Sequence, residues 1–537
     1  METNKCSSVL TIAYRSVLGL AFVGYTFAAV LLNFQKAIPF ICISSFVIFC
    51  VICYFIRLKF GDKLTILCSK LVKKLEWTKH RVVSISAYLT VVLACLCYLI
   101  ITNLKTTENL VSLLGLVALI GFSWLISYEK GKINWRPVIW GVVLQLVLGL
   151  IILRTEAGKV TFSFLGRQVE NFQSHVLAGV TFVFGEKYAD FEFIFKLMPT
   201  VIFLNSVVSV LYHVGLMQML VEKIAILMHI TMGTTAAETA CTAASMFLGQ
   251  PEASFTIRPY LPLLTKSELF AIMTAGFASV TADLFGLFVK YGISSAHILT
   301  AVLMSAPAGL AVSKIICPET EESQTKTLKQ IQNVEQQSVS ANVVDAAAKG
   351  AQDAMNVALT VVACLIAFLS ILAFLNAVLA YLGSLVGLID LSFDKLLGFV
   401  MMPLAFLMGV PWKDCRIVGE VVGLKTVVNE FVGYTRLGEY IKLNALSTKS
   451  QVIATYALCG FSNPTTMGVM VGGLGVLIPE KKGIISEIVV RAWIAGSVAC
   501  FMTACFAGLL YDSSEAAISI ASNNTFPNTT SNFLLKV

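Results

Sequence analysis

The chain is 537 residues long, 57% hydrophobic and only 13% charged, with a formal net charge of +8 and a mean hydropathy of +0.82. That balance excludes a soluble globular protein. Its basic residues flank apolar runs and build no separate basic domain, which excludes nucleic acid as a partner and leaves the lipid bilayer as the environment.

Apolar runs long enough to cross a hydrocarbon core, about 20 residues each, recur from end to end. They predict spans near 11–33, 38–56, 84–102, 109–127, 137–153, 195–216, 268–290, 294–316, 352–382, 387–410 and 484–511. The first run is too long for a signal-peptide core and has no small-x-small cleavage site, so it is expected to stay as a span. Between the second and third runs, Arg57, Lys59, Lys63, Lys70, Lys73, Lys74, Lys79 and Arg81 outweigh Asp62 and Glu76. This loop is expected on the cytoplasmic side, and counting through the spans puts the N-terminus there too. Lys130, Lys132 and Arg136 fall on the same side by the same count. The stretch 157–193 is too charged to span and predicts an amphipathic interfacial helix. The polar stretch 318–350 reads as a linker that runs into the next helix. Two sequons in the tail, Asn523-Asn524-Thr525 and Asn528-Thr529-Thr530, predict an extracellular C-terminus carrying glycans.

Most of the 14 cysteines sit in apolar runs and read as small buried thiols. The five histidines are scattered without metal-ligand spacing. No phosphate-binding loop or dinucleotide fingerprint appears, so neither an ATP-driven pump nor an enzyme is expected, and no cofactor.

Regions 217–263 and 415–480 are apolar but interrupted, and they carry one pattern twice. The first copy is Gly249-Gln250-Pro251-Glu252, Thr265-Lys266-Ser267 and Gly276-Phe277-Ala278. The second is Asn429-Glu430-Phe431, Thr448-Lys449-Ser450 and Gly460-Phe461-Ser462-Asn463-Pro464. Pro251 cannot sit inside a helix, and the apolar stretches on either side of it are short. They predict a re-entrant hairpin whose tip lies at mid-membrane. Glu252 there would cost about 3 kcal/mol in lipid, so it is expected to face a polar cavity. Glu430 follows the same logic. Pro464 breaks a span in its middle, and Asn463, Thr465 and Thr466 add donors and acceptors. The matching segment of the first copy runs from Gly276 to Asp283.

Two repeats with broken helices meeting at mid-membrane are the plan of a secondary transporter. Two carboxylates with amides suit a neutral, polyhydroxylated solute. Phe461 can pack on a flat ring, and freed carbonyls can hold Na⁺. Glu252 and Glu430 have a structural alternative, pairing with nearby Lys or Arg, and Asp283 one of partial exposure. Arg258, Arg436 and Arg491 read as interface or ion-pair groups. The Thr-Lys-Ser turns read as interfacial helix starts with a snorkelling lysine.

These motifs resemble the concentrative nucleoside transporters. The resemblance covers roughly 195–512 and rests on Gly249–Glu252 through Arg258-Pro259-Tyr260-Leu261-Pro262, Thr265–Leu269, Ile272–Phe277, Asn429–Val432, Ala454–Asn463 and Ile488–Ala492. It implies an all-α polytopic membrane protein with about eleven transmembrane helices and two re-entrant hairpins in inverted repeats. Scaffold and transport domains, an elevator motion, a homotrimer and a plasma-membrane location follow. The implied organisation is an N-terminal extension over 1–135, a scaffold span and interfacial segment over 136–194, and the first repeat over 195–317. A linker over 318–350, scaffold spans over 351–410, the second repeat over 411–512 and a tail over 513–537 complete it.

By motif position, Gln250, Pro251 and Glu252 would bind the nucleobase, and Glu430, Asn463 and Thr466 the ribose of a uridine- or adenosine-class substrate. Phe461, Asp283 and Leu284 would line the pocket. Na⁺, the coupling ion unless H⁺ replaces it, would be held by Ser245, Leu248, Ser279 and Val280. The chain departs from the family pattern at Pro251, where Thr is usual, at Ser245, where Asn is usual, and at Asp283, where a small residue is usual. A channel or a sensor built on the same broken helices is the alternative reading.

Overall fold

The computed structural model describes residues 107–185, 198–248, 253–254, 256–281, 292–325, 340–387 and 392–511, with isolated positions 24, 31 and 288. The three expected spans before residue 103, the basic loop 57–82 and the sequon-bearing tail lie, those two positions apart, outside the described residues.

Helix α1 (Thr107–Leu125) and helix α2 (Trp135–Gly149) are joined by the basic turn. A π turn, Leu150–Arg154, extends α2, so that Trp135–Arg154 is long and apolar enough to cross a membrane. The charged stretch that follows is helical, as α3 (Glu156–Ser174) and α4 (Val176–Phe184). Then come α5 (Met198–His213), α6 (Leu216–Met232), α7 (Ala236–Ala244), a 3-10 turn (Arg258–Leu263), α8 (Lys266–Ala278) and α9 (Ser295–Ile316). After the linker come α10 (Val343–Leu385), α11 (Phe393–Leu407) and α12 (Cys415–Val427). The chain closes with α13 (Glu430–Lys442), α14 (Thr448–Leu458), α15 (Pro464–Leu477) and α16 (Lys482–Leu510).

One plan runs from α6 to α9 and again from α11 to α16. In the described residues each has a helix, a half-helix, a returning segment, a helix that stops early and a long closing helix, with α15 described before the closing helix of the second. The closing helices point in opposite directions. The last turn of α9 meets the C-terminal end of α1, where Tyr128 N–H donates to Ile316 O at 2.8 Å and Ser127 Oγ to Ile315 O at 2.7 Å. The last turn of α16 meets the opposite end of α1, where Asn109 Nδ2 donates to Tyr511 O at 3.4 Å. The repeats are therefore inverted.

Local sequence sets the helix starts. Thr235 with Glu238, and Thr265 with Glu268, form capping boxes on α7 and α8. Asn429, Ser447 and Asn463 cap α13, α14 and α15, the last with Pro464 at its first position. Both Thr-Lys-Ser turns start helices as expected, but the lysines differ. Lys266 pairs with Glu487 at 2.7 Å near the surface. Lys449 is buried and donates to Asn109 Oδ1 at 3.0 Å, so it does not snorkel.

One other expectation is corrected. The run near 268–290 is not one span, because α8 stops at Ala278 and Ser279 turns to extended backbone. The polar linker opens on a buried contact: Ser323 and Thr325 are buried and each donates to Glu268 Oε1 at 2.6 Å. Thr265 N–H donates to the other oxygen at 2.8 Å.

Small and polar residues hold the bundle together, since lipid supplies no hydrophobic drive between helices. Gly115 of α1 lies against the end of α11, where a Cβ would fall 2.0 Å from Leu407 O. Gln145 of α2 donates to Met304 O of α9 at 3.2 Å and to Thr503 Oγ1 of α16 at 3.1 Å. Helix α10 packs along α5 and keeps much of its apolar surface exposed, including Ile366, Phe374, Tyr381 and Leu385.

Candidate functional site

The early stops of α8 and α14 meet each other. Phe461 N–H donates to Ser279 O at 3.2 Å, so non-helical backbone of one repeat satisfies that of the other. Cys500 of α16 seals the crossing, its thiol donating to Cys459 O at 3.1 Å and lying 3.8 Å from Ala278 O. Only glycine admits this approach at position 460, where a Cβ would fall 2.4 Å from Cys500 Sγ and 2.8 Å from Phe277 O.

Glu430 opens α13 and is buried beside this crossing. Asn463 Nδ2 donates to Glu430 Oε2 at 2.6 Å. The same Asn463 caps α15 through Oδ1, which accepts from Thr466 N–H at 3.1 Å. Asn429 caps α13 through Val432 N–H at 2.9 Å. Two helix N-termini thus converge on one carboxylate, and their positive ends offset its buried charge. Phe461 is buried next to Asn463, and Thr466 is half-buried on the first turn of α15. Ser462 Oγ and Thr465 Oγ1 are buried without a hydrogen-bond partner. Such unmet capacity at a helix break is what a polar ligand completes. Behind the carboxylate, Phe288 stacks on Tyr434 at 4.0 Å, and Tyr434 OH donates to Thr455 O at 3.0 Å.

The structure brings together Glu430, Asn463, Phe461, Thr466, Ser279 and Val280. Ser245 caps the C-terminal end of α7, which packs on α8, and Leu248 lies in the turn beyond it. Ser245 and Ser279 are both buried. Ser245 Oγ donates to Thr242 O at 2.8 Å, which leaves its lone pairs free to face a cation. Neutral hydroxyl and carbonyl oxygens suit a hard monovalent ion. Among the described residues, no cluster of His, Cys, Asp and Glu could hold a transition metal. Gln250, Pro251, Glu252, Asp283 and Leu284 lie outside the described residues.

Of the three arginines, Arg436 pairs with Glu420 and Glu439 at 3.1 and 2.9 Å. Arg491 lies 3.9 Å over the Tyr128 ring, and Arg258 is exposed. Sequence reasoning missed several groups. Lys425, the last basic residue of α12, is fully buried; its signal was a single cation in an apolar run. Glu238 and Lys314 form a buried ion pair at 2.7 Å whose partners lie far apart in sequence. Cys500 gave no signal, since the chain has many membrane thiols.

The chain is similar to known families and solved structures. Residues 297–508 match the family described as Na⁺ dependent nucleoside transporter C-terminus, and 114–187 match its N-terminus. Residues 194–295 match a family described as nucleoside recognition. The chain belongs to the Na⁺-dependent nucleoside transporter family. Within that family it is 40% identical to solute carrier family 28 member 3 of Mus musculus over 515 residues, 93% of this chain and 72% of the relative. It is 38% identical to sodium/nucleoside cotransporter 2 of Mus musculus over 535 residues, 96% of this chain and 79% of the relative. Among solved structures, CNTnw in an inward-facing substrate-bound state matches with a TM-score of 0.71 and 34% identity, covering 75% of this chain and 98% of that one. A CNTnw variant in an outward-facing state matches equally, with a TM-score of 0.71.

Proposed function

We propose that the crossing of the two helix breaks is the nucleoside site of a sodium-coupled symporter. Membership of the family makes the chain a transporter that couples nucleoside movement to Na⁺. The observation that carries the site assignment is the Glu430–Asn463 hydrogen bond of 2.6 Å where two helix N-termini converge. A carboxylate already oriented by an amide can accept both hydroxyls of a ribose, and Asn463 and Thr466 can share them. Ser462 and Thr465 add hydroxyls without partners. Phe461 walls the base, which Gln250, Pro251 and Glu252 would bind, with Asp283 and Leu284 completing the pocket. Na⁺ travels as a second substrate, held by Ser245, Leu248, Ser279 and Val280. Its site shares the break with the nucleoside site, which gives the two ligands a physical reason to favour each other's binding. A proton at a site carboxylate is the alternative coupling ion.

The hairpins and broken helices form the mobile unit, and α5 with α10 forms the scaffold along which it slides as an elevator. The exposed apolar face of α10 suits contact with further copies in a homotrimer. The plasma membrane is the proposed location, with the N-terminus cytoplasmic and the C-terminus outside. The deciding experiment is uptake of a radiolabelled nucleoside panel in transporter-null cells, with and without Na⁺, at about pH 7.5 and about pH 5.5. Saturable, competitive accumulation that needs Na⁺ supports the reading. Accumulation that follows pH alone replaces Na⁺ with H⁺, and flux without accumulation overturns symport.

A further inference from the structure

Lys425 is the most unusual ionisable group outside the proposed ligand sets. It is 0% exposed, in the last turn of α12. Its Nζ donates to Ala457 O at 3.3 Å and lies 5.7 Å from the centre of the Phe501 ring. It makes no ion pair among the described residues. A buried ammonium without a directly bound carboxylate is costly. Here the negative ends of local dipoles hold it: a carbonyl of the last turn of α14, which helix geometry leaves without an amide, and the face of an aromatic ring.

The inverted repeat shows what stands at this place in the other half. Glu252 and Glu430 are the matching carboxylates of the two copies of the sequence pattern. Five residues before Glu430 is Lys425; the four residues from Ser245 to Leu248 lie seven to four before Glu252. Lys425 therefore sits in the second-repeat counterpart of the turn proposed to hold Na⁺. The neighbouring elements correspond as well. Helix α7 packs on α8, whose break supplies Ser279 and Val280, and α12 packs on α14, whose last turn supplies Ala457 O. In both repeats a cation's place lies between the end of a half-helix and the end of a broken helix.

We propose that Lys425 is a built-in cation, its ammonium filling in the second repeat the place that the coupling Na⁺ takes in the first. This rests on the proposed Na⁺ site. Because the ammonium is covalently tethered, it never dissociates. It therefore draws no energy from the ion gradient and limits coupling to one Na⁺ per nucleoside. Removing the tethered charge leaves the Ala457 carbonyl and the Phe501 ring face without a cation, and a second Na⁺ can enter.

The test counts charge and nucleoside together. Purified protein in proteoliposomes is held at a set membrane voltage, and the charge-to-nucleoside ratio and the Na⁺ activation curve are read for wild type, Lys425→Arg and Lys425→Gln. Wild type and Lys425→Arg should move one charge per nucleoside on a hyperbolic Na⁺ curve. Lys425→Gln should move two on a sigmoidal curve. A wild-type ratio of two overturns the proposal without any variant. So does a Lys425→Gln protein that transports at the wild-type ratio, because a packing role alone would leave the count unchanged. Equilibrium binding of labelled Na⁺ in saturating nucleoside covers a Lys425→Gln protein that does not transport: two ions per protomer support the proposal, and one or none overturns it. Ser245→Ala with Ser279→Ala separates this from failure of the underlying site. If those variants leave Na⁺ affinity unchanged, the Na⁺ assignment falls, whatever the Lys425 counts.

Discussion

At the scale of single residues, the proposed site depends on one short contact and one missing side chain. Glu430→Gln keeps the shape of the carboxylate but removes its charge, so it weakens both the Asn463 contact and the acceptor offered to the sugar. Charged hydrogen bonds of this kind are worth about 2–3 kcal/mol, so nucleoside uptake at matched surface expression should fall at least about tenfold. Uptake near the wild-type level would remove Glu430 from the site. Gly460→Ala drives a methyl group into Cys500 Sγ and Phe277 O. Uptake should be lost, and adding Cys500→Ala should restore part of it, because the sulfur can be removed and the carbonyl cannot. A double-mutant cycle on uptake and surface expression measures that coupling; strict additivity would show that the two residues do not meet.

At the scale of elements, each repeat anchors its broken helix with a buried carboxylate near the start. Glu268 accepts from Ser323, Thr325 and the Thr265 amide. Asp414 Oδ2 accepts from Ser447 Oγ at 2.7 Å, Ser450 Oγ at 2.6 Å and Ser447 N–H at 3.1 Å. Glu268→Ala or Asp414→Ala strands three donors in the interior and should each cost about 3 kcal/mol. Thermal unfolding of the purified protein checks this, and an unchanged midpoint would contradict it. These anchors mark the limit of what the sequence makes legible. The two copies of the pattern were visible because proline, glycine and carboxylate stand out in apolar sequence, and Asn463 and Glu430 did meet. What the sequence could not display was pairing across the inverted repeat: Phe461 with Ser279, Cys500 with Cys459, or a linker serine with a helix-start glutamate. Such contacts join residues whose types are individually ordinary. The run near 268–290 misled for the same reason, since the partner that releases α8 at Ala278 lies in the other repeat.

At the scale of the whole molecule, the inverted closing helices predict which loops face which side. A cysteine placed at Gly131, beside the C-terminal end of α1, should react with a membrane-impermeant maleimide only after permeabilisation. One at Ala445, near the end of the molecule that holds Asn109 and Asp414, should react on intact cells. Both positions are exposed, and six native cysteines, Cys241, Cys317, Cys415, Cys459, Cys500 and Cys505, are buried, so background labelling from those six is low. The reverse pattern would invert the proposed orientation. Helix α10 adds a consequence of its own. From Ala354 to Leu385 it carries no Asp, Glu, Lys or Arg, a length of about 48 Å at 1.5 Å per residue. The hydrocarbon core is about 30 Å thick, so this stretch cannot stand upright without mismatch and has to lean or stretch the lipid around it. On the elevator proposed above, a leaning α10 ties the slope of the slide to the thickness of the membrane. Turnover in vesicles of graded acyl-chain length should therefore pass through an optimum, making the surrounding lipid a rate-setting component of the transporter.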